Sequence, residues 1–196
     1  MSENSAADLA TEPTRRRLTR RQAETVQKLT SAAMDEVRVS GYAGLTVRNV
    51  AARAGVAAAT AYIYFSSKEH LLAEVFWRKL RSLPAVPSDG REPANRVVEV
   101  LREIALMAAA DPDLAAAATV SLLDSNPDVH DLRARIGLTI RARLVAALGP
   151  GHTPEVLTAL EFAYSGAMLH AGMGFTTYEE VADRLADSAR LIIKGS

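Results

Sequence analysis

Apolar residues recur at three- and four-residue spacing along most of the chain and nowhere form a run that alternates with polar ones. That periodicity predicts helices and no strands. Val26, Leu29, Ala33, Met34 and Val37 mark the buried stripe of a first helix over 20–39. Ser40 and Gly41 close it, since glycine readily takes the left-handed conformation beyond a helix end. After a connector at 42–45, Thr46 is the N-cap of a second helix over 47–54. That helix buries Val47, Val50, Ala51 and Ala54 and leaves Arg48, Asn49 and Arg53 outside. Gly55 ends it, Val56 plugs the turn, and a third helix runs over 57–64. Ser66 or Ser67 caps a fourth, about 67–81, with Leu71, Leu72, Val75, Phe76 and Leu80 on its inner face.

The stretch from Leu83 to Gly90 holds two prolines and the glycine, and is the clearest boundary in the chain. Beyond it, helical patterns cover 94–110, 112–124, 128–148, 154–173 and 177–194. The last two begin at Thr153-Pro154, a cap followed by a proline at the first helical position, and at residue 177. The segment 112–124 is almost wholly apolar, which predicts burial on every side. The sum is an all-α chain of about nine helices.

Composition adds exclusions. Hydrophobic residues make up 48% of the 196, with alanine and leucine dominant, so a core is affordable for a small domain joined to a larger one. Cysteine is absent, which removes disulfides, thiolate metal sites and cysteine nucleophiles. The first 14 residues are polar and acidic, and no apolar run is long enough for a membrane span, so the expectation is a soluble cytoplasmic protein. His70, His130, His152 and His170 are scattered without a metal-binding spacing, and no nucleophile elbow or phosphate loop occurs. No catalytic residue, cofactor or metal is expected.

Charge changes the picture more. The formal net charge is zero, yet residues 15–81 carry 13 basic against 5 acidic side chains, and 82–196 carry 10 against 15. A basic head on an acidic body points to a polyanion at one end. Arg15, Arg16, Arg17, Arg20 and Arg21 form a run of their own, either tracking a minor groove or lying in a flexible, solvated tail. Two short helices about a glycine turn, Thr46 to Phe65, suit insertion of the second helix into a major groove. Thr46 would offer its hydroxyl and nearby N–H groups to a phosphate, and Tyr62 and Tyr64 their phenols. Tyr62 would otherwise be a core aromatic, and Ile63 either a stray surface residue or a contact to a thymine methyl.

The run T-V-R-N-V-A-A-R-A-G-V-A-A-A-T-A-Y-I-Y-F-S-S-K-E-H-L-L, from Thr46 to Leu72, resembles the DNA-binding signature of the TetR family of bacterial transcriptional repressors. The similarity extends over about 20–72. It implies a three-helix helix-turn-helix DNA-binding head and a helical ligand-binding and dimerisation body. The domains expected are a disordered basic arm at 1–19, the head at 20–66, and a linking helix plus body at 67–196. By position, the resemblance implies backbone phosphate contacts from Thr46, Arg48 and Lys68, with Arg48 also a candidate base contact. Val47 joins that set, and Ala58, Ala59, Thr60, Tyr62, Ile63 and Tyr64 form the groove-facing surface. The chain departs from the family pattern at Ala57, Ala59 and Ala61, where serine, glycine or proline, and a larger aliphatic residue are common. Ala58 and Ala59 cannot hydrogen-bond through their side chains, so base reading would lean on apolar contacts, Arg48 and DNA shape.

The resemblance also implies a homodimer on a palindromic double-stranded operator and a small-molecule effector. The implied dimer face on the last two helices holds Ala163, Gly166, Ala167, Ala171, Val181, Leu185, Ile192 and Ile193. Candidates for an apolar effector pocket are Leu106, Met107, Leu122, Leu123, Ile136, Phe162, Tyr164, Met168 and His170. The segment from Met168 onward resembles members that control steroid or fatty acyl-CoA breakdown. The alternatives are a constitutive DNA-binding protein, or an activator, without a small-molecule effector.

Overall fold

The computed structural model describes residues 19–87 and 90–195. Arg15, Arg16 and Arg17 lie outside the described residues. Among these residues there are nine helices and no strand: α1 Arg20–Gly44, α2 Val47–Arg53, α3 Ala58–Tyr64, α4 Lys68–Ser82, α5 Pro93–Ala109, α6 Pro112–Ser121, α7 Pro127–Leu148, α8 Pro154–Gly172 and α9 Tyr178–Lys194.

The start signals are local. Pro93, Pro112, Pro127 and Pro154 each open a helix, where a missing N–H costs nothing and φ is already helical. Thr19 with Gln22, and Thr177 with Glu180, form reciprocal capping boxes. Ser67, not Ser66, caps α4 by accepting from the His70 amide at 3.1 Å. Thr153 makes no side-chain cap bond, so Pro154 alone marks the start of α8. Gly41 breaks α1 as expected, with φ at 64°, but one further helical turn follows to Gly44 in place of an extended connector.

Two cores form, and α4 belongs to both. Leu71, Leu72 and Val75 pack with Val26, Leu29, Leu45, Val50, Ala61 and Phe65 in the head. Ala73, Phe76, Trp77 and Leu80 pack with α5, α7, α8 and α9 in the body. The body also reaches into the head, because Leu114 and Ala117 of α6 are buried in the head cluster. Fully burying a side chain of this size is worth about 1.5–3 kcal/mol, so α4 and α6 fix the head to the body firmly.

The segment expected to be buried on every side is not. Leu114, Ala115, Ala117, Ala118 and Ser121 face inward, whereas Val120 is 49% and Leu123 69% exposed. The physical reason is that α6 ends at Ser121 and leaves one flank uncovered between α1 and α8. No single described helix is long and apolar enough to cross a membrane.

Candidate nucleic-acid interface

Three short-range devices build the head's outer surface. Thr46 caps α2 by accepting from the Asn49 amide at 3.1 Å. Gly55 holds φ at 66°, a left-handed turn that reverses the chain within three residues of Arg53. Ala61, fully buried, then lets α3 sit close on the head core, and Phe65, also fully buried, anchors its end. The small residue at 61 is therefore what brings α3 in tightly.

This arrangement turns Ala59, Tyr62 and Ile63 outward, with Tyr62 48% and Ile63 65% exposed. Ala58, Thr60 and Tyr64 are half-buried, and Tyr64 packs partly against the head core. Thr46 and Arg48 are exposed beside them, at the start of α2. Arg20 and Arg21 are exposed on the first turn of α1. Val47 is a correction: at 3% exposure its side chain is spent in the head core, leaving only its backbone near the surface. Ala57 makes no side-chain cap bond, so the first turn of α3 has no hydroxyl covering its amides.

Lys68, expected at a backbone phosphate, is half-buried at the start of α4. Its ammonium donates to the Tyr42 carbonyl at 2.9 Å and lies 4.0 Å from the centre of the Tyr42 ring. It joins the end of α1 to the start of α4. Tyr42 completes the corner by donating from its hydroxyl to Glu69 at 2.9 Å. Burial first, and the Glu69 carboxylate second, push the Tyr42 phenol from 10.0 up to about 12. Folding favours the neutral phenol, so its contribution is whole below pH 10 and is lost as pH rises towards 12. Urea unfolding at stepped alkaline pH is expected to show stability falling through that window, with the fall reduced in Tyr42→Phe.

Other ion pairs, not legible in the sequence, brace the head. Arg53 donates to the buried Glu36 carboxylate at 2.8 Å, locking α2 to α1. Asp111, 6% exposed at the α5–α6 corner, accepts from Arg38 of α1 at 2.7 Å and from Lys79 of α4 at 3.4 Å. Just past α3, Ser66 donates to Asp128 at the start of α7 at 2.6 Å, and Asn126 donates to Ser66 at 3.3 Å. The end of the outward helix is thus tied directly to the body.

The residues expected to enclose an effector divide between the body core and the surface. Ile136, Tyr164 and Met168 are in the body core, where burial raises the Tyr164 phenol well above its ordinary range. Met107 and Leu122 pack on the edge of that core. Leu106, Leu123, Phe162 and His170 face outward, because helix periodicity placed them on the opposite sides of α5, α8 and the α6 end. The expected dimer residues also divide. Ala171, Val181 and Leu185 are buried within the chain itself, since the inner faces of α8 and α9 pack on each other and α9 on α5. Ala163, Ala167, Ile192 and Ile193 lie half-buried against the same core. Gly166 remains open, on an outward stripe with Phe162 (74% exposed), Leu169 and Met173.

Two short helices about a left-handed glycine, with an outward second helix on a basic head, define a helix-turn-helix DNA-binding protein. The chain belongs to the TetR family of bacterial transcriptional regulators. The family described as "Bacterial regulatory proteins, tetR family" matches residues 29–75. An HTH-type transcriptional regulator of Mycobacterium tuberculosis is 48% identical over 179 residues, covering 90% of this chain and 84% of that one. Among solved structures, a TetR transcriptional regulator from Rhodococcus sp. RHA1 matches with a TM-score of 0.73 at 23% identity, over 91% of this chain and 99% of that one. Thermus thermophilus FadR, a TetR-family transcriptional repressor in complex with lauroyl-CoA, matches at 0.66 and 20% identity, over 87% and 94%.

Proposed function

We propose that this regulator is a ligand-responsive repressor that binds a palindromic operator as a homodimer. The observation that carries the reading is the exposed pair Tyr62 and Ile63, held outward by the burial of Ala61 just before the pair and of Phe65 two positions after it. In this reading α3 lies in the major groove, with Ala58, Ala59, Thr60 and Tyr64 completing the approach. Thr46, Arg48, Arg20 and Arg21 contact phosphates, and the basic run Arg15 to Arg17 adds positive charge for the same polyanion. The fourth helix carries body motion to the head, and the Ser66–Asp128 and Asp111 links give the motion two further points of purchase. A coupling of about 1–3 kcal/mol between effector and operator would lower affinity roughly 5- to 150-fold.

A second copy of the chain fits the stripe Phe162, Gly166, Leu169 and Met173, which repeats every three or four residues along α8 and would complete a buried face. The likeness in fold to FadR bound to lauroyl-CoA supports a small, largely apolar or acyl-CoA-like effector. Sedimentation of Phe162→Glu tests the pairing. A buried aromatic anchor is worth about 2 kcal/mol or more, so dimer dissociation is expected to strengthen at least about thirtyfold. An unchanged dimer would remove α8 from the interface.

For DNA binding itself, Arg48→Ala is the sharper test because Arg48 is exposed at the start of α2. Its loss is expected to weaken every duplex alike and to reduce the salt dependence by about one unit of slope. A change confined to one base position would make Arg48 a base reader instead.

A further inference from the structure

A groove of about 430 Å³ runs between α1 of the head and the second half of α4. Helix periodicity sets its walls. Gln27, Thr30 and Met34 follow one another at three- and four-residue spacing on α1, and Val75, Lys79 and Ser82 do so on α4. Its volume falls within the roughly 300–1,000 Å³ typical of small-molecule sites. Met34 packs on the head core and Trp77, also in the lining, packs in the body core. A molecule seated there would touch both.

The charge in this lining is of one sign. Arg78, Lys79 and Arg81 belong to it, and no carboxylate does among the described residues. Arg78 donates to Glu74 at 2.7 Å and Lys79 to Asp111 at 3.4 Å, but both acids are buried and neither lines the groove. Asp111 also serves Arg38, so its single charge meets two cations. Arg81 is exposed, with its guanidinium 4.7 Å from the centre of the Trp77 ring. The carbonyls that end α4 add only about half a negative charge. Positive charge therefore prevails on the side that meets solvent, above apolar surface from Met34 and Val75.

We propose that this groove binds an organic phosphate, a phosphate monoester on an apolar part about the size of one ring. Guanidinium groups match phosphate oxygens in pairs, and a dianion brings a second charge to the three cations. The apolar part lies against Met34 and Val75, which offer no hydrogen bonds that would select its orientation. The site lies between α1 and α4, apart from the interior of the body. Its test contains no DNA, so it stands or falls separately from the operator reading above.

The test is titration of the full chain with phenyl phosphate, read by calorimetry and by the emission of Trp77, the chain's one tryptophan. Binding is expected to saturate and to weaken with added salt. Phenol, without the charge, is expected to bind roughly tenfold or more weakly, and benzoate, with one charge, about three- to fivefold more weakly. Inorganic phosphate lacks the apolar part and is expected to bind roughly threefold or more weakly. Gln27 is exposed, so Gln27→Glu sets a carboxylate of the same shape in the wall without disturbing the core. That variant is expected to bind phenyl phosphate about fivefold or more weakly, with a melting temperature that is not lowered. Arg81→Gln removes one cation and is expected to weaken it about three- to tenfold. No saturable binding, phenol, benzoate or inorganic phosphate held as tightly as phenyl phosphate, or undiminished binding by both variants would each overturn the proposal.

Discussion

Replacing Phe65 with alanine is expected to cost about 3–5 kcal/mol of stability and to abolish operator binding with it. Phe65 is fully buried, sits in one cluster with Leu29, Leu45, Leu71 and Leu72, and meets the His70 ring edge-on at 5.4 Å. It follows α3 directly, so its side chain sets the pitch at which Tyr62 and Ile63 leave the surface. The cavity left behind would sit between α1, α3 and α4, three elements that do not share a flexible loop able to fill it. Because α4 also closes the body core, the loss is expected to appear as a lower midpoint for the whole chain in urea, not as a separate early transition for the head. A loss below about 1 kcal/mol would mean that the head core is anchored elsewhere.

Ile63→Asp separates binding from stability. Ile63 is 65% exposed and makes no buried contact on which the fold depends, so stability should change by no more than about 0.5 kcal/mol. Against DNA the effect is of another order. In the proposed docking, a carboxylate on α3 would face phosphates and base edges in place of a side chain of methyl and methylene groups. Like-charge juxtaposition at an interface costs several kcal/mol, so operator affinity is expected to fall by roughly a hundredfold or more. Fluorescence anisotropy with a labelled duplex reads this directly. Retained affinity would take α3 out of the groove.

The head was legible because its signals are local. Thr46, Gly55 and the apolar spacing around Val50 and Phe65 define a turn, and a short sequence window contains all of them. Helix starts in the body, read at 94, 112, 128 and 154, fall within one residue of the observed ones, although the prolines at 93 and 127 that open two of them were not read as start signals. What periodicity shows is which residues share a face, not which neighbour that face meets. The buried stripe on α9 was visible in Val181 and Leu185, yet it closes the chain's own core and leaves mainly charged residues outside. Four of the nine candidate pocket residues, Leu106, Leu123, Phe162 and His170, face outward for the same reason.

Long-range polar partners were beyond reach altogether. Lys68 reads as a phosphate contact at a helix start, and nothing near it in the sequence announces that its ammonium donates to the carbonyl of Tyr42, 26 residues earlier. Arg38 and Asp111 lie 73 positions apart, and nothing in either neighbourhood announces the pair. The division of α4 between two cores was half visible: its residues 71 to 80 carry more apolar positions than one helix face needs. Only the packing shows that Leu71, Leu72 and Val75 serve the head while Phe76, Trp77 and Leu80 serve the body.

We propose that the outward face of α3 reads a particular DNA sequence. Selection of bound duplexes from a random pool, followed by affinity measurement for the selected and a shuffled sequence across salt concentrations, tests it most directly. The selected duplex is expected to be two-fold symmetric and to bind about a thousandfold or more tightly than the shuffled one. Its affinity is expected to fall steeply and linearly with the logarithm of salt, as counterions are released from the contacted phosphates. Equal affinity for both duplexes, or binding indifferent to salt, would contradict the claim.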